Sequence, residues 1–203
     1  MYKQLRITDM KKILLIFPLF VFLISCAQQP ASKFYFPEVG WKITLPDKFK
    51  LMDSSANAAL NAKGQKEIEE SNHMKVEDSQ TKTFFSAIKQ PRNYFSATIT
   101  AYDPAKDGDF NATIESLKGL TYNTFKTQIH NSTVDSSSSH VAIDGIDFDK
   151  CQIAVQIDNK TLFNMVLLSK YYKGYEFSIS YLYADEDTKK EIESSLNSSR
   201  FNQ

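Results

Sequence analysis

Apolar and polar residues alternate with period two over much of this chain, and that alternation predicts strands. Residues 34–36 predict a short edge strand ended by Pro37, and residues 41–45 alternate before stopping at Pro46. Two further strands, 83–89 and 94–102, are joined by a predicted turn at Gln90-Pro91-Arg92-Asn93. In the second, Phe95, Ala97, Ile99 and Ala101 share one face. Residues 141–143 and 146–148 predict a hairpin on Asp144-Gly145, since glycine accepts positive φ, and the pattern runs on through Cys151 to Ile157. Cys151 falls on the apolar face with Ile153, Val155 and Ile157, so it reads as a small buried hydrophobe. Residues 161–172 are apolar on both faces, the mark of a central strand. Residues 175–183 place Tyr175, Phe177, Ile179, Tyr181 and Tyr183 on one side.

Helical stretches interrupt the strands. Residues 54–71 have helix composition, with Asp53 or Ser54 as N-cap and Ala58, Ala59, Leu60 and Ile68 as anchors. Gly64 weakens one continuous helix there, at about 1 kcal/mol relative to Ala. Residues 110–129 space Phe110, Ile114, Leu117, Phe125 and Ile129 helically, with Gly119 as the weak point. Asp185-Glu186-Asp187 opens a last helix, whose buried pair is Ile192 and Leu196. The run Ser136-Ser137-Ser138-Ser139 reads as a flexible loop. Strands in succession, with helices between and after them, predict an α+β domain on a mostly antiparallel sheet.

The first residues read as an address. Lys11 and Lys12 precede a twelve-residue apolar run, residues 13–24, interrupted by Pro18. A helix of that length spans about 18 Å, against about 30 Å of hydrocarbon, so it suits a signal peptide. The run ends in Leu23-Ile24-Ser25-Cys26, which resembles the bacterial lipobox. The resemblance implies cleavage before Cys26, a diacylglycerol thioether on its sulfur and acylation of its amine. Acyl chains at ~0.8 kcal/mol per methylene would then hold the mature chain on a membrane. Met10 is an alternative start to Met1. The expected organisation is a signal peptide over 1–25, lipidated Cys26 with a polar tether to residue 33, and one globular domain over 34–203. Ala27 follows Cys26 with no acidic cluster, which by resemblance favours an outer membrane facing the periplasm if the cell has two membranes.

Composition narrows the functional classes. The chain has 203 residues, 24 basic and 24 acidic; loss of residues 1–25 removes four basic groups and Asp9, for a net of −3. No basic stripe suggests nucleic acid; Lys63, Lys66 and Lys75 are interleaved with Glu67, Glu69, Glu70 and Glu77. The six glycines lie no closer than Gly108 and Gly119, which excludes a glycine-rich phosphate cradle. A 42% hydrophobic and 13% aromatic content excludes a wholly disordered chain.

His73, His130 and His140 lack a metal-ligand spacing, and no Gly-x-Ser-x-Gly elbow occurs. The expectation is no enzyme, no catalytic residue and no cofactor beyond the lipid on Cys26. Asp103, Asp107 and Asp109 crowd one loop and are weak calcium candidates; Asp144, Asp147 and Asp149 crowd a hairpin. Tyr171, Tyr172, Tyr175, Tyr181 and Tyr183 are either a buried sheet face or a protein-contact patch, since Tyr suits half-wet interfaces. Trp41, the only Trp, reads as core.

The stretch Phe34-Tyr35-Phe36-Pro37-Glu38-Val39-Gly40-Trp41-Lys42-Ile43-Thr44-Leu45-Pro46 resembles the opening of PsbP/Mog1-like domains. The end fits too, with an aromatic strand, a helix, then Ser199-Arg200-Phe201. The resemblance covers residues 34–203 and implies an αβα sandwich around an antiparallel sheet. It implies binding of proteins more than catalysis, because the family shares no catalytic motif. Three readings follow. The first is a membrane-tethered module that binds another envelope protein through an exposed patch. The second is a chaperone-like adaptor sheltering an apolar segment of an exported client in a groove between sheet and helix. The third is an enzyme or a small-ligand or calcium-binding domain, which requires the Asp or His clusters to converge.

Overall fold

The computed structural model describes residues 32–76, 80–90 and 92–202. The predicted signal peptide, Cys26, most of the predicted tether and Pro91 of the predicted turn lie outside them. The elements are β1 (Lys33–Phe36), β2 (Trp41–Thr44), β3 (Lys50–Leu51), α1 (Ser54–Asn72), β4 (Lys82–Lys89), β5 (Asn93–Ala101) and α2 (Pro104–Asp107). They continue with α3 (Phe110–Gln128), β6 (Ser132–Ile143), β7 (Ile146–Ile157), β8 (Lys160–Tyr172), β9 (Tyr175–Tyr183), α4 (Glu186–Ser198) and β10 (Arg200–Phe201).

Seven strands form one antiparallel sheet in the order β3-β4-β5-β9-β8-β7-β6, and β1-β2-β10 form a small second sheet. The main core lies on one face of the large sheet. There Phe95, Ala97, Phe177, Ile179, Tyr181 and Tyr183 meet Ile192 and Leu196 of α4 and the aromatic residues of the small sheet. Trp41 is fully buried in it, edge-on to Phe177 and stacked on Phe201. Such ring pairs add about 0.5–1.5 kcal/mol beyond their buried area. The indole Nε1–H donates to Ser199 Oγ at 3.0 Å, and that hydroxyl donates to Leu196 O at 2.7 Å. The end of α4 is thereby tied to the start of β2. On the opposite face, Tyr122 and Phe125 of α3, with Ile129 just past its end, cover Cys151, Ile153, Val155 and Phe163. The result is the predicted αβα sandwich.

The hairpin turn has Asp144 and Gly145 both at positive φ, 50° and 81°, as a tight type I′ connection demands. Asp144 Oδ2 also accepts the Phe201 N–H at 2.7 Å, so the turn docks β10. Strand β8 is internal, as its two-sided apolar pattern required. Both glycine-bearing helices run unbroken, because nineteen residues of hydrogen-bonded helix absorb one unfavourable position.

Two expectations are corrected. Ser136-Ser137-Ser138-Ser139 is not a loop: it lies within β6 and pairs with Ile153 through Lys150 of β7. The hydroxyls are tolerated because β6 is an edge strand and these residues are exposed. Ala58, Ala59 and Leu60 do not anchor α1; all three are exposed, and no residue of this helix is buried. The short elements β3, α2 and β10 carry too few residues for a periodic signal and were not anticipated.

Candidate functional site

Helix α1 stands over the large sheet without closing on it. Asp53 caps it, its carboxylate accepting the Ala56 N–H at 2.8 Å. Its last turn is tied to α3: Asn72 Nδ2 donates to Thr124 Oγ1 at 3.1 Å, and Gln128 Nε2 donates to Ser71 Oγ at 3.0 Å. Between the middle of α1 and the sheet runs an open groove of about 1080 Å³. That matches the upper end of ligand-binding pockets, about 300–1,000 Å³.

The floor is built by register. Ile88 of β4 pairs with Tyr94 of β5, Tyr94 with Leu182 of β9, and Leu182 with Met165 of β8. Four neighbouring strands thus present one continuous apolar row. Leu60, Gly64 and Ile68 line the α1 side, and Phe125 of α3 closes one end. Lys63, Lys89 and Arg92 also line the groove, while no Asp or Glu among the described residues does. Lys63 Nζ lies 3.7 Å from Glu67, and Lys89 Nζ lies 2.5 Å from Glu191. Arg92 is exposed and makes no ion pair among the described residues.

A smaller cavity of about 310 Å³ lies on the same sheet face, and Ser180 lines both. Its lining mixes Leu117, Leu167 and Leu168 with Thr98, Thr100, Ser169, Ser178 and Glu176. Ser178 Oγ donates to Glu176 Oε1 at 3.2 Å. Burial pushes the Glu176 carboxyl above its usual range, and the hydroxyl only partly offsets this.

The residues singled out from sequence are placed differently. Tyr171, Tyr172, Tyr175, Tyr181 and Tyr183 do not form one exposed patch. Tyr181 and Tyr183 are core, Tyr172 and Tyr175 pack against that core, and only Tyr171 is substantially exposed, at 40%. The alternation of β9 sends its tyrosines inward, and Tyr171 instead sits edge-on to Tyr102.

Asp103, Asp107 and Asp109 serve local backbone. Asp103 accepts the Ala105 N–H at 3.1 Å, Asp107 the Asp103 N–H at 2.7 Å, and Asp109 the Ala112 N–H at 2.9 Å. His140 Nδ1 lies 3.6 Å from both Asp147 and Asp149, whereas Asp144 belongs to the β10 docking turn. Among the described residues no three His, Cys, Asp or Glu side chains are grouped as a metal site. Cys151 is free and buried, and burial pushes its thiol pKa up. No helix among the described residues is long and apolar enough to cross a membrane. The groove residues were missed because they come from six elements; the one local signal was Gly64 in the middle of a helix.

No protein-family model matches the chain, and no curated protein sequence matches it. Solved structures do. The solution structure of cyanobacterial PsbP, CyanoP, from Synechocystis sp. PCC 6803 is similar, with a TM-score of 0.53 and 9% identity over 84% of this chain and 92% of that one. LpqN of Mycobacterium tuberculosis, described as involved in cell envelope biogenesis, is a looser likeness, with a TM-score of 0.37 and 11% identity over 86% of each chain. The chain has a PsbP-like fold. At 9% identity, the likeness speaks for architecture alone.

Proposed function

We propose that this protein is a non-catalytic, lipid-tethered module of the bacterial envelope, which shelters an apolar segment of an exported protein in the groove under α1. One observation carries the reading: the apolar row Ile88–Tyr94–Leu182–Met165, open beneath a helix that buries nothing of its own. A folded domain seldom leaves such a continuous apolar surface unless something is to cover it. The lipobox-like Leu23-Ile24-Ser25-Cys26 supports the tether and a periplasm-facing site, with the membrane contacted through acyl chains on Cys26. The dispersal of the tyrosines favours this adaptor reading over a flat contact patch.

The test is a photo-crosslinking residue in place of Leu60 in the full chain, activated in living cells, with mass spectrometry of the adducts. The expected result is crosslinks to an apolar stretch of an exported protein, lost with Cys26→Ala. Adducts confined to abundant bystander proteins, the same with and without Cys26, would overturn it.

A further inference from the structure

Resting on the reading of the groove as the working surface, we propose that its occupant is an acidic amphipathic helix from a partner protein, laid along the strands and packed against α1 at Gly64. The shape of the floor comes first. The row from Ile88 to Met165 crosses four strands. At about 4.8 Å per strand the floor is roughly 14 Å across. An α-helix with side chains is about 10–12 Å thick and fills that span. A single acyl chain is far thinner and would leave much of the floor wet. An extended peptide fits poorly for another reason. The backbone of these strands is already paired within the sheet, so a peptide seated on side chains would find no ladder for its own N–H and C=O groups. A helix satisfies them internally.

Gly64 is the second observation. It sits mid-helix in α1 and lines the groove. A Cβ added there would meet nothing within 4 Å, so internal packing does not require the glycine. It leaves the α1 backbone bare where an occupant would approach, as small residues do wherever helices pack closely. Charge is the third. Lys63, Lys89 and Arg92 line the groove with no carboxylate among the described lining residues, in a chain of zero net charge. Arg92, without an ion pair among the described residues, is the cation best placed to meet an acid on the incoming helix. An apolar helix face flanked by Glu or Asp matches this lining.

The test uses the full chain in zwitterionic nanodiscs, with empty nanodiscs as background. Three labelled synthetic peptides of about 18 residues, long enough to form helix, serve as probes. One has a leucine face flanked by glutamates, the second has lysines in their place, and the third scrambles the first. Fluorescence anisotropy is expected to show the acidic helix binding roughly tenfold or more tighter than the lysine helix, and the scramble not at all. Gly64→Leu should weaken the acidic helix by about tenfold or more while its melting temperature stays at or above wild type, which separates blocking from misfolding. Arg92→Glu should turn the preference towards the lysine helix.

Equal binding of both helices, or a Gly64→Leu protein that binds as wild type does, overturns the proposal. So does self-association in sedimentation that Gly64→Leu abolishes, because the occupant is then a second copy. Displacement of an apolar dye by dodecanoate, with neither helix bound, overturns the helix and leaves the groove reading standing. Absence of dye, dodecanoate and helix binding alike removes both.

Discussion

Gly40 shows how one residue closes the small sheet. Its φ is +67°, and a Cβ there would fall 2.7 Å from the carbonyl oxygen of Asn202. The Asn202 N–H in turn donates to Gly40 O at 2.7 Å. Gly40→Ala is expected to lower stability by about 1–2 kcal/mol for the left-handed backbone alone, and further for the collision. A urea titration followed by Trp41 fluorescence would read it as a lower midpoint, and an unchanged midpoint would refute the account.

Glu176 acts in the other direction. Burial raises its folded pKa above the ordinary 4.5, so the folded state prefers the protonated acid. That preference is fully present below the ordinary value and is lost as pH rises through the folded value. Glu176→Gln should therefore be more stable than wild type at pH 7, with the gap closing below pH 4.5. Thermal melts at the two extremes decide it; a gap that widens in acid would contradict the burial of this carboxyl.

At the level of elements, the helix ends obey local rules and the helix faces do not. Asp53, Asp103, Asp109 and Asp185 each cap a helix. Asp185 accepts the Thr188 N–H at 2.8 Å, and that bond holds its pKa below the ordinary 3.8. A depressed carboxylate stabilises above its unfolded pKa, and the contribution fades as pH falls through the folded value. Asp185→Ala should cost about 1 kcal/mol at neutral pH. The difference from wild type should shrink below pH 3.8, as chemical denaturation at both pH values would show.

Helix α1 is the contrasting case. Its N-cap is legible from sequence, but its packing is not, because its apolar positions are few and all of them stay at least partly exposed. Strand β6 makes the same point. Four consecutive serines carry no β-period, and they become strand only because β7 offers a ladder alongside.

Over the whole molecule, two apolar clusters flank one sheet, and each contains a natural reporter. Trp41 sits in the larger cluster and Cys151 in the smaller. Burial both shields the Cys151 thiol and raises its pKa, so little thiolate is exposed to react. An uncharged thiol reagent should label Cys151 in the native protein only at the rate of opening, while denaturant exposes it fully. If the domain is one cooperative unit, the labelling midpoint will coincide with that of Trp41 fluorescence. Labelling at the rate of a free thiol under native conditions would show that α3 does not cover its side of the sheet.

Sequence by itself determined what depends on neighbours a few residues apart. The period-two runs of 83–89 and 175–183, the Asp144-Gly145 turn, the Asp53 cap and the inward face of Cys151 are all of that kind. Each rests on backbone geometry or on the sorting of one strand's two faces. Tertiary structure alone decided which strands are adjacent, that the serine run becomes an edge, and that five tyrosines near in sequence part company. It also decided the groove, where Ile88, Tyr94, Met165 and Leu182 come into line only through the register of four strands. Pairing between strands is a long-range hydrogen-bonding choice, made by the free energy of the whole sheet rather than by any window of residues.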